Sequence, residues 1–285
     1  MRRTASAIAI RAARPSDKRE VRAVLARIWV DDYIPAAFDD WVRDRRGGLW
    51  LAMLDGRVVG IAKLSVDGDE AWLHGLRVDP AHRREGVATA LLRHRLARAR
   101  RLGARVARLD TDSGNTAVKR MMQRHGFHVL ARVTYFDARA LIAPAPRLAA
   151  RNDIDAMLQC ARRDRALYHG AKIFTSVQRA HLVKAIRRGD CFIAGEGAGL
   201  AFVIVETHHG AIGWHRQGDR LVVRAIAGGS AGVRTLLWGI RGEAKRRELP
   251  RAGVSTRSAV WPAARGAGYR RRWDDTMLVY EKRIG

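Results

Sequence analysis

Cysteine is almost missing from this chain of 285 residues: only Cys160 and Cys191 occur. Two cysteines so far apart build no disulfide framework and sit at no metal-ligand spacing, so they read as small buried hydrophobes. Long apolar runs are missing as well. Stretches such as Leu200 to Val205 fall far short of the roughly 20 residues that cross a bilayer, which excludes a helical membrane protein. Met1-Arg2-Arg3 has the look of a basic leader, but Ala5 to Ile10 is short, Ala-rich and closed at once by Arg11. No adequate apolar region or cleavage site follows, so the expected compartment is the cytoplasm. Acidic residues and lysine are scarce beside arginine, leaving a net charge of +26. The arginines are scattered rather than gathered in a tail. Two readings fit: a GC-rich coding sequence without function, or attraction to polyanions such as nucleic acid or a phosphorylated cofactor.

What is present points to two folded domains. The length exceeds a usual single domain of about 100–150 residues, and 47% apolar content supplies two cores. The first half alternates strands and helices. A strand over Ile8 to Ala12 precedes a helix in which Val21, Val24, Leu25, Ile28 and Trp29 share one face. A short helix around Ala36 to Val42 follows Asp31-Asp32-Tyr33-Ile34-Pro35. Strands Leu49 to Leu54 and Arg57 to Leu64 flank Asp55-Gly56, a type I′ hairpin signal. A strand over Glu70 to Val78 leads to a helix from about Gly86 to Leu102, with Ala88, Leu91, Leu92, Leu96 and Ala99 inward and Gly103 at its end. Then come a strand at Arg105 to Asp110, a helix opened by Asn115, and a closing strand pair from about Phe127 to Phe136.

Beyond Pro144-Ala145-Pro146, a boundary signal, the same order recurs, shifted by about 140 residues as an internal duplication would give. Gly47-Gly48-Leu49-Trp50-Leu51-Ala52 is echoed by Gly189-Asp190-Cys191-Phe192-Ile193-Ala194, and His125-Gly126-Phe127 by Ala267-Gly268-Tyr269. The expectation is an α/β fold, a mixed central sheet flanked by helices, in two similar lobes: 1–143 and 144–285.

The most informative stretch runs from Leu76 to Leu92. A strand ends, Pro80 breaks it, and the Gly86 loop enters a helix. The first N–H groups of a helix lack internal partners and its dipole adds positive potential, so a strand-loop-helix of this kind suits an anion. An ordinary strand-to-helix turn has the same local composition. Three elements in order, Leu76-Arg77-Val78-Asp79-Pro80, Arg83-Arg84-Glu85-Gly86-Val87-Ala88, and Asn115 followed by Gly126-Phe127, resemble the GNAT (GCN5-related N-acetyltransferase) superfamily over about residues 8 to 137. The resemblance implies acetyl-coenzyme A as acyl donor. The backbone of Leu76, Arg77 and Val78 would pair with the pantetheine arm, and amides from Arg83, Arg84, Glu85, Gly86, Val87 and Ala88 would hold the pyrophosphate. Asn115 would touch the pantetheine or thiol end, and His82, Arg83 or Arg84 would reach the other phosphate. Asp32-Tyr33-Ile34-Pro35 with Trp41 and His74-Gly75-Leu76-Arg77-Val78 is similar to the histidine N-acetyltransferase-like branch, which has a carboxylate at the position of His74. That likeness implies a small amine or amino-acid acceptor.

Acetyl transfer needs a neutral amine, a polarised thioester carbonyl and a stabilised leaving thiolate. His74, Asp110 and Glu70 are candidate bases. Each also has a bland reading: a core histidine, a strand-end cap and a surface turn. Many family members place a tyrosine acid seven residues after the Asn, where this chain has Met122. Water, Tyr33 or Tyr135 would then supply the proton, or the thiolate would leave unprotonated. In the second half, Ala225 to Val233 is glycine-rich but shorter and lacks the preceding basic residue, which favours a degenerate lobe that shapes the cleft over a second active site. His208-His209 and His215 have no carboxylate or cysteine at a recognised spacing, so no metal site is expected. The competing function is RNA or ribosome contact on the same scaffold, drawn from Tyr269-Arg270-Arg271-Arg272-Trp273. A basic hairpin with one aromatic buried is the other reading of that segment.

Overall fold

A computed structural model describes residues 7–170, 173–209, 211–212, 215–216, 218–272 and 276–285. Met1 to Arg3, Ala5, Trp273 and the side chain of His215 lie outside the described residues. In the first half, β1 (Ala9–Ala12), α1 (Lys18–Ala26), α2 (Ile34–Arg43), β2 (Gly48–Leu54), β3 (Arg57–Asp67) and β4 (Glu70–Val78) precede α3 (Val87–Arg101), β5 (Val106–Asp112), α4 (Thr116–Arg124) and β6 (His128–Arg139). The second half begins with β7 (Arg147–Leu148), α5 (Ile154–Arg163), a hairpin of β8 (Leu167–His169) and β9 (Phe174–Ser176), and α6 (Arg179–Arg188). It continues through β10 (Cys191–Ala194), β11 (Ala201–His208), a small hairpin of β12 (Ala211–Ile212) and β13 (His215–Arg216), and β14 (Arg220–Gly228). It ends with α7 (Ser230–Arg246), β15 (Arg251–Arg257), α8 (Trp261–Gly266), β16 (Arg270–Arg271) and β17 (Met277–Arg283). Small hairpins aside, the two halves repeat one order of elements. The expected mixed α/β fold in two similar lobes is what the chain forms.

Compactness divides the chain differently from a cut after residue 143. One unit holds residues 1–110, 116–129 and 280–285, and the other holds 111–115 and 130–279. In the first unit the strand order is β1-β2-β3-β4-β5-β17, and in the second β7-β10-β11-β14-β15-β6. Each therefore takes its last strand from the other half of the chain. The reason is pairing. β6 runs antiparallel to β15 in register from Arg139 opposite Arg251 to Val133 opposite Arg257. In the first unit, Ile284 N–H donates to the Arg105 carbonyl at 2.8 Å and Arg108 pairs with Glu281 at 2.7 Å. The expected strand pair at Phe127 to Phe136 is one long strand, because residues 128–139 contain no Gly or Pro to turn the chain.

In the first unit, α1 and α2 bury Val21, Val24, Leu25, Ile34 and Phe38 against Leu49, Leu51, Val58 and Ile61. The opposite face of the sheet receives Val87 and Leu91 of α3 against Ala52, Val59 and Ala62. Gly60 permits that approach, since a Cβ there would stand 2.6 Å from Val87 Cγ1. Asp55 and Gly56 both have positive φ, 49° and 74°, the type I′ geometry the hairpin signal calls for. Helix α1 ends at Ala26, before Ile28 and Trp29, and Trp29 is exposed rather than inward. Cys160 and Cys191 are buried, and burial pushes the Cys191 thiol up to about 12. That leaves it an inert hydrophobe. No described helix is long and apolar enough to cross a membrane.

Candidate active site

β4 and β5 run parallel but register only at Glu70/Val106, Ala71/Ala107 and Trp72/Arg108, although both strands continue beyond those positions. On its other side β4 carries a bulge: Ile61 faces Arg77 while Lys63 faces His74, so β4 spends one more residue than β3 over that span. Gly75 supplies the turn with φ +64°, and a Cβ there would meet Trp41 at 2.8 Å. A bulge bends its strand and strengthens the local twist. Along Leu76, Arg77 and Val78, beyond the bulge, β4 has no registered partner in β5, which leaves an opening there. Arg95 of α3 braces the bulge from inside the core. It is 2% exposed, and its Nη1 donates to the carbonyls of Lys63 at 3.2 Å and His74 at 3.4 Å. Burial pulls Arg95 down to about 9, which still leaves it cationic at neutral pH.

The rim of this opening is built by the segment before α2. Asp32 accepts from Ile34 N–H at 3.0 Å and from Arg77 Nε at 2.6 Å. The Arg77 guanidinium stacks 4.7 Å from the Trp29 ring and 5.7 Å from the Tyr33 ring. Such cation–π contacts contribute about 0.5–2 kcal/mol each. Tyr33 meets Trp41 edge-on at 5.8 Å, and Trp41 meets His74 at 5.0 Å. His74 in turn shares a 3.0 Å hydrogen bond with Ser65 Oγ. Asp110 closes the group from β5. Burial raises its carboxyl to about 6. Tyr33 feels that charge: burial raises its phenol, Asp32 and Asp110 push the same way, and Arg77 opposes them.

Of the three candidate bases, Glu70 is not in this group. It is buried and paired with Arg108 at 2.6 Å, and Arg108 also holds Glu281, so it serves the strand pairing. Met122, at the position of the family's tyrosine, is 1% exposed in the core. Sequence reasoning named Tyr33 only in passing and missed Asp32–Arg77 as a clamp. It also missed Arg95, although the inward stripe Leu91, Leu92, Leu96 and Ala99 predicts that Arg95, four residues after Leu91, points into the core.

The loop after β4 is anchored by Asp79, which is buried, accepts from Ala81 N–H at 3.1 Å and pairs with Arg27. Residues 83–86 are exposed, Val87 is buried and Ala88 is partly buried. Gly86 begins α3 with φ +88°, and a Cβ on it would meet nothing within 4 Å. Exposed amides at a helix start, open space over the glycine, and Arg83 and Arg84 beside them fit a pyrophosphate. His82 is partly committed to Glu85 at 3.0 Å. Asn115 lies in the segment 111–115 counted with the second unit, where its N–H donates to the Asp112 carbonyl at 3.0 Å.

The second unit repeats the splay without the loop. β14 and β15 register at Leu221/Ala252, Val222/Gly253 and Val223/Val254, and β14 carries a bulge opposite Ile204 and Val205. Gly229 alone separates β14 from α7. The Asp164 carboxylate accepts from Gly228 N–H at 2.7 Å, so a side chain of the protein itself sits where the amides turn. A Cβ at Gly228 would stand 2.3 Å from Ala201, while Gly229 at the start of α7 has nothing within 4 Å, as Gly86 has.

Residues 16–127 match the model of the Acetyltransferase (GNAT) family. Over 85 residues the chain is 35% identical to histidine N-acetyltransferase of Oreochromis niloticus, covering 28% of this chain and 25% of that one. It is 36% identical to histidine N-acetyltransferase of Xenopus tropicalis over 85 residues, 28% of this chain and 26% of that one. The match spans about a quarter of the length of these curated relatives. The fold is similar over 97% of the chain and 96% of the partner to a GCN5-related N-acetyltransferase from Sphaerobacter thermophilus, at TM-score 0.61 and 15% identity.

Proposed function

From the match of residues 16–127 to the Acetyltransferase (GNAT) family, we propose that the protein moves an acetyl group from acetyl-coenzyme A to a primary amine of a small molecule, an amino acid or an N-terminus. The observation that carries this reading is the opening between β4 and β5, beyond the Gly75 bulge and continued into the exposed Arg83 to Ala88 loop. Acetyl-coenzyme A supplies an activated thioester. The edge of Leu76, Arg77 and Val78 that β5 leaves unregistered holds the pantetheine arm, an N–H of that edge polarises the carbonyl, and the 83–88 amides hold the pyrophosphate. Asn115 is the remaining contact assigned to the coenzyme.

Asp110 is the preferred base. A carboxyl raised to about 6 accepts a proton from an ammonium group near neutral pH more readily than an ordinary carboxylate does. His74, hydrogen-bonded to Ser65 and packed on Trp41, is the alternative base. The proton leaves the amine to the base as the new N–C bond forms, and the leaving sulfur takes a proton from water or Tyr33. Tyr33, Trp41 and Asp110 together offer an aromatic wall and a carboxylate, a setting for a cationic acceptor. The acceptors named for the Oreochromis and Xenopus relatives make histidine the first to try.

Thiol release from acetyl-coenzyme A, followed over a panel of amines beginning with histidine, tests the reading. Release above the background rate with at least one amine, lost by about 10²–10⁴-fold in Asp110→Asn, supports it. Absence of acceptor-dependent release across the panel would remove it. The reading as an RNA-contacting protein is weaker, because Tyr269 is 2% exposed and its hydroxyl donates to the Leu237 carbonyl at 3.0 Å. It has no face to offer a base.

A further inference from the structure

The second unit concentrates positive charge in one concave place that the acyl-transfer reading does not use. Arg139 ends β6 and stands directly opposite Arg251, which begins β15. Arg270 of β16 is registered opposite Asp137 on the same β6. Arg241 reaches in from α7, and with these residues and Gly268 it lines a cavity of about 450 Å³. Like charges directly across a strand pair are destabilising, so the convergence needs a counter-charge.

Among the described residues, Asp137 is the one acidic group in that lining, and it is already committed. Its oxygens accept from Arg251 at 2.9 and 2.7 Å and from Arg272 at 2.7 Å, with Arg220 at 3.9 Å. Those hydrogen bonds hold the carboxyl below the usual range against the opposing pull of burial. Arg241 is fixed by two backbone carbonyls, Arg139 at 3.0 Å and Ala267 at 2.9 Å. Gly268 makes room for it, since a Cβ there would stand 2.3 Å from Arg241 Nη1. A guanidinium fixed by carbonyls is pre-oriented. Four arginines and one carboxylate line the cavity, Arg241 and Arg251 held by their partners and Arg139 and Arg270 exposed, and guanidinium forks match phosphate oxygens in pairs.

We propose that this cavity is a second anion site that takes the phosphate or diphosphate group of a small molecule. Its volume lies in the range of small-ligand pockets, about 300–1,000 Å³. Its concave shape, with Tyr269 turned into the core beside it, favours a small phosphorylated ligand over a nucleic-acid strand that would need stacking faces.

The probe is inorganic pyrophosphate, titrated by calorimetry into the full chain. Gly86→Glu removes the competing loop of the first unit. If that variant does not fold, Arg83→Glu/Arg84→Glu, at exposed positions of the same loop, replaces it. One saturable pyrophosphate site is expected to remain in this background. Adding Arg139→Gln and Arg270→Gln, both exposed positions, should weaken it by at least about tenfold, as expected for the loss of charge-assisted hydrogen bonds. No saturable binding, or unchanged affinity in the arginine variant, would overturn the proposal. A labelled single-stranded RNA is run beside it. RNA binding that Arg139→Gln/Arg270→Gln abolishes and pyrophosphate does not displace would reassign the patch to nucleic acid and also overturn it.

Discussion

The two strand-to-helix connections make the sharpest contrast in the molecule. In the first unit residues 79–86 separate β4 from α3, and Gly86 opens to solvent, with nothing within 4 Å of where a Cβ would stand. In the second, Gly229 alone separates β14 from α7 and the Asp164 carboxylate caps Gly228. Bulge and splay are common to both; the loop is not. One scaffold thus carries an eight-residue loop in one copy and, in the other, a one-residue turn whose Gly228 amide is satisfied by Asp164. Fold similarity therefore says nothing by itself about which copy binds a coenzyme.

The largest expected effect sharpens that contrast at its centre. Gly86→Glu puts a carboxylate where the pyrophosphate would lie, and acetyl-coenzyme A binding should become undetectable by calorimetry. The strain of a side chain at φ +88° costs only about 1–2 kcal/mol of stability. Wild-type affinity in that variant would erase the distinction between the two connections.

Asp110 gives a smaller and pH-dependent effect. Its folded carboxyl titrates at about 6 against about 3.9 when unfolded. The protonated form is the one the fold favours. Its contribution to stability is full below about pH 4 and is lost as pH rises through about 6. Asp110→Asn should therefore match wild type in denaturation near pH 4 and exceed it by about 1–3 kcal/mol at pH 8, while its rate collapses. Parallel stability curves at all pH values would show that the carboxyl is not held in the setting described.

Gly75→Ala tests the splay that both units share. The added methyl would stand 2.8 Å from Trp41 at a backbone with φ +64°, so a loss of about 1–3 kcal/mol in chemical denaturation is expected. The rate should fall with it, because the end of β4 would be re-aimed. A fully stable, fully active variant would show that the bulge does not shape the site.

Much of this contrast is legible in the sequence. The Glu70 to Val78 strand, the Asp55-Gly56 hairpin and the start of α3 follow from alternation, turn chemistry and Gly86, all local signals. The short Ala225 to Val233 segment likewise predicts a reduced second loop. The bulge at Gly75 is not legible, since a glycine on a strand signals only that something unusual occurs there. Its partner Trp41 and its brace Arg95 come from elements distant in sequence. The exchange of last strands is hidden for the same reason: whether β6 pairs with β5 or β15 is decided by tertiary contacts that an alternating pattern cannot rank. The raised proton affinity of Asp110 carries no local mark either, because burial, which outweighs an opposing backbone hydrogen bond, is set by tertiary packing.

Native mass spectrometry of the full chain at saturating acetyl-coenzyme A tests the central claim most directly. One molecule should bind per chain in wild type and none in Gly86→Glu. Two molecules per chain, or one retained after Gly86→Glu, that persist when Arg139→Gln/Arg270→Gln removes the proposed anion cavity would place a coenzyme on the turn between β14 and α7 and contradict the account.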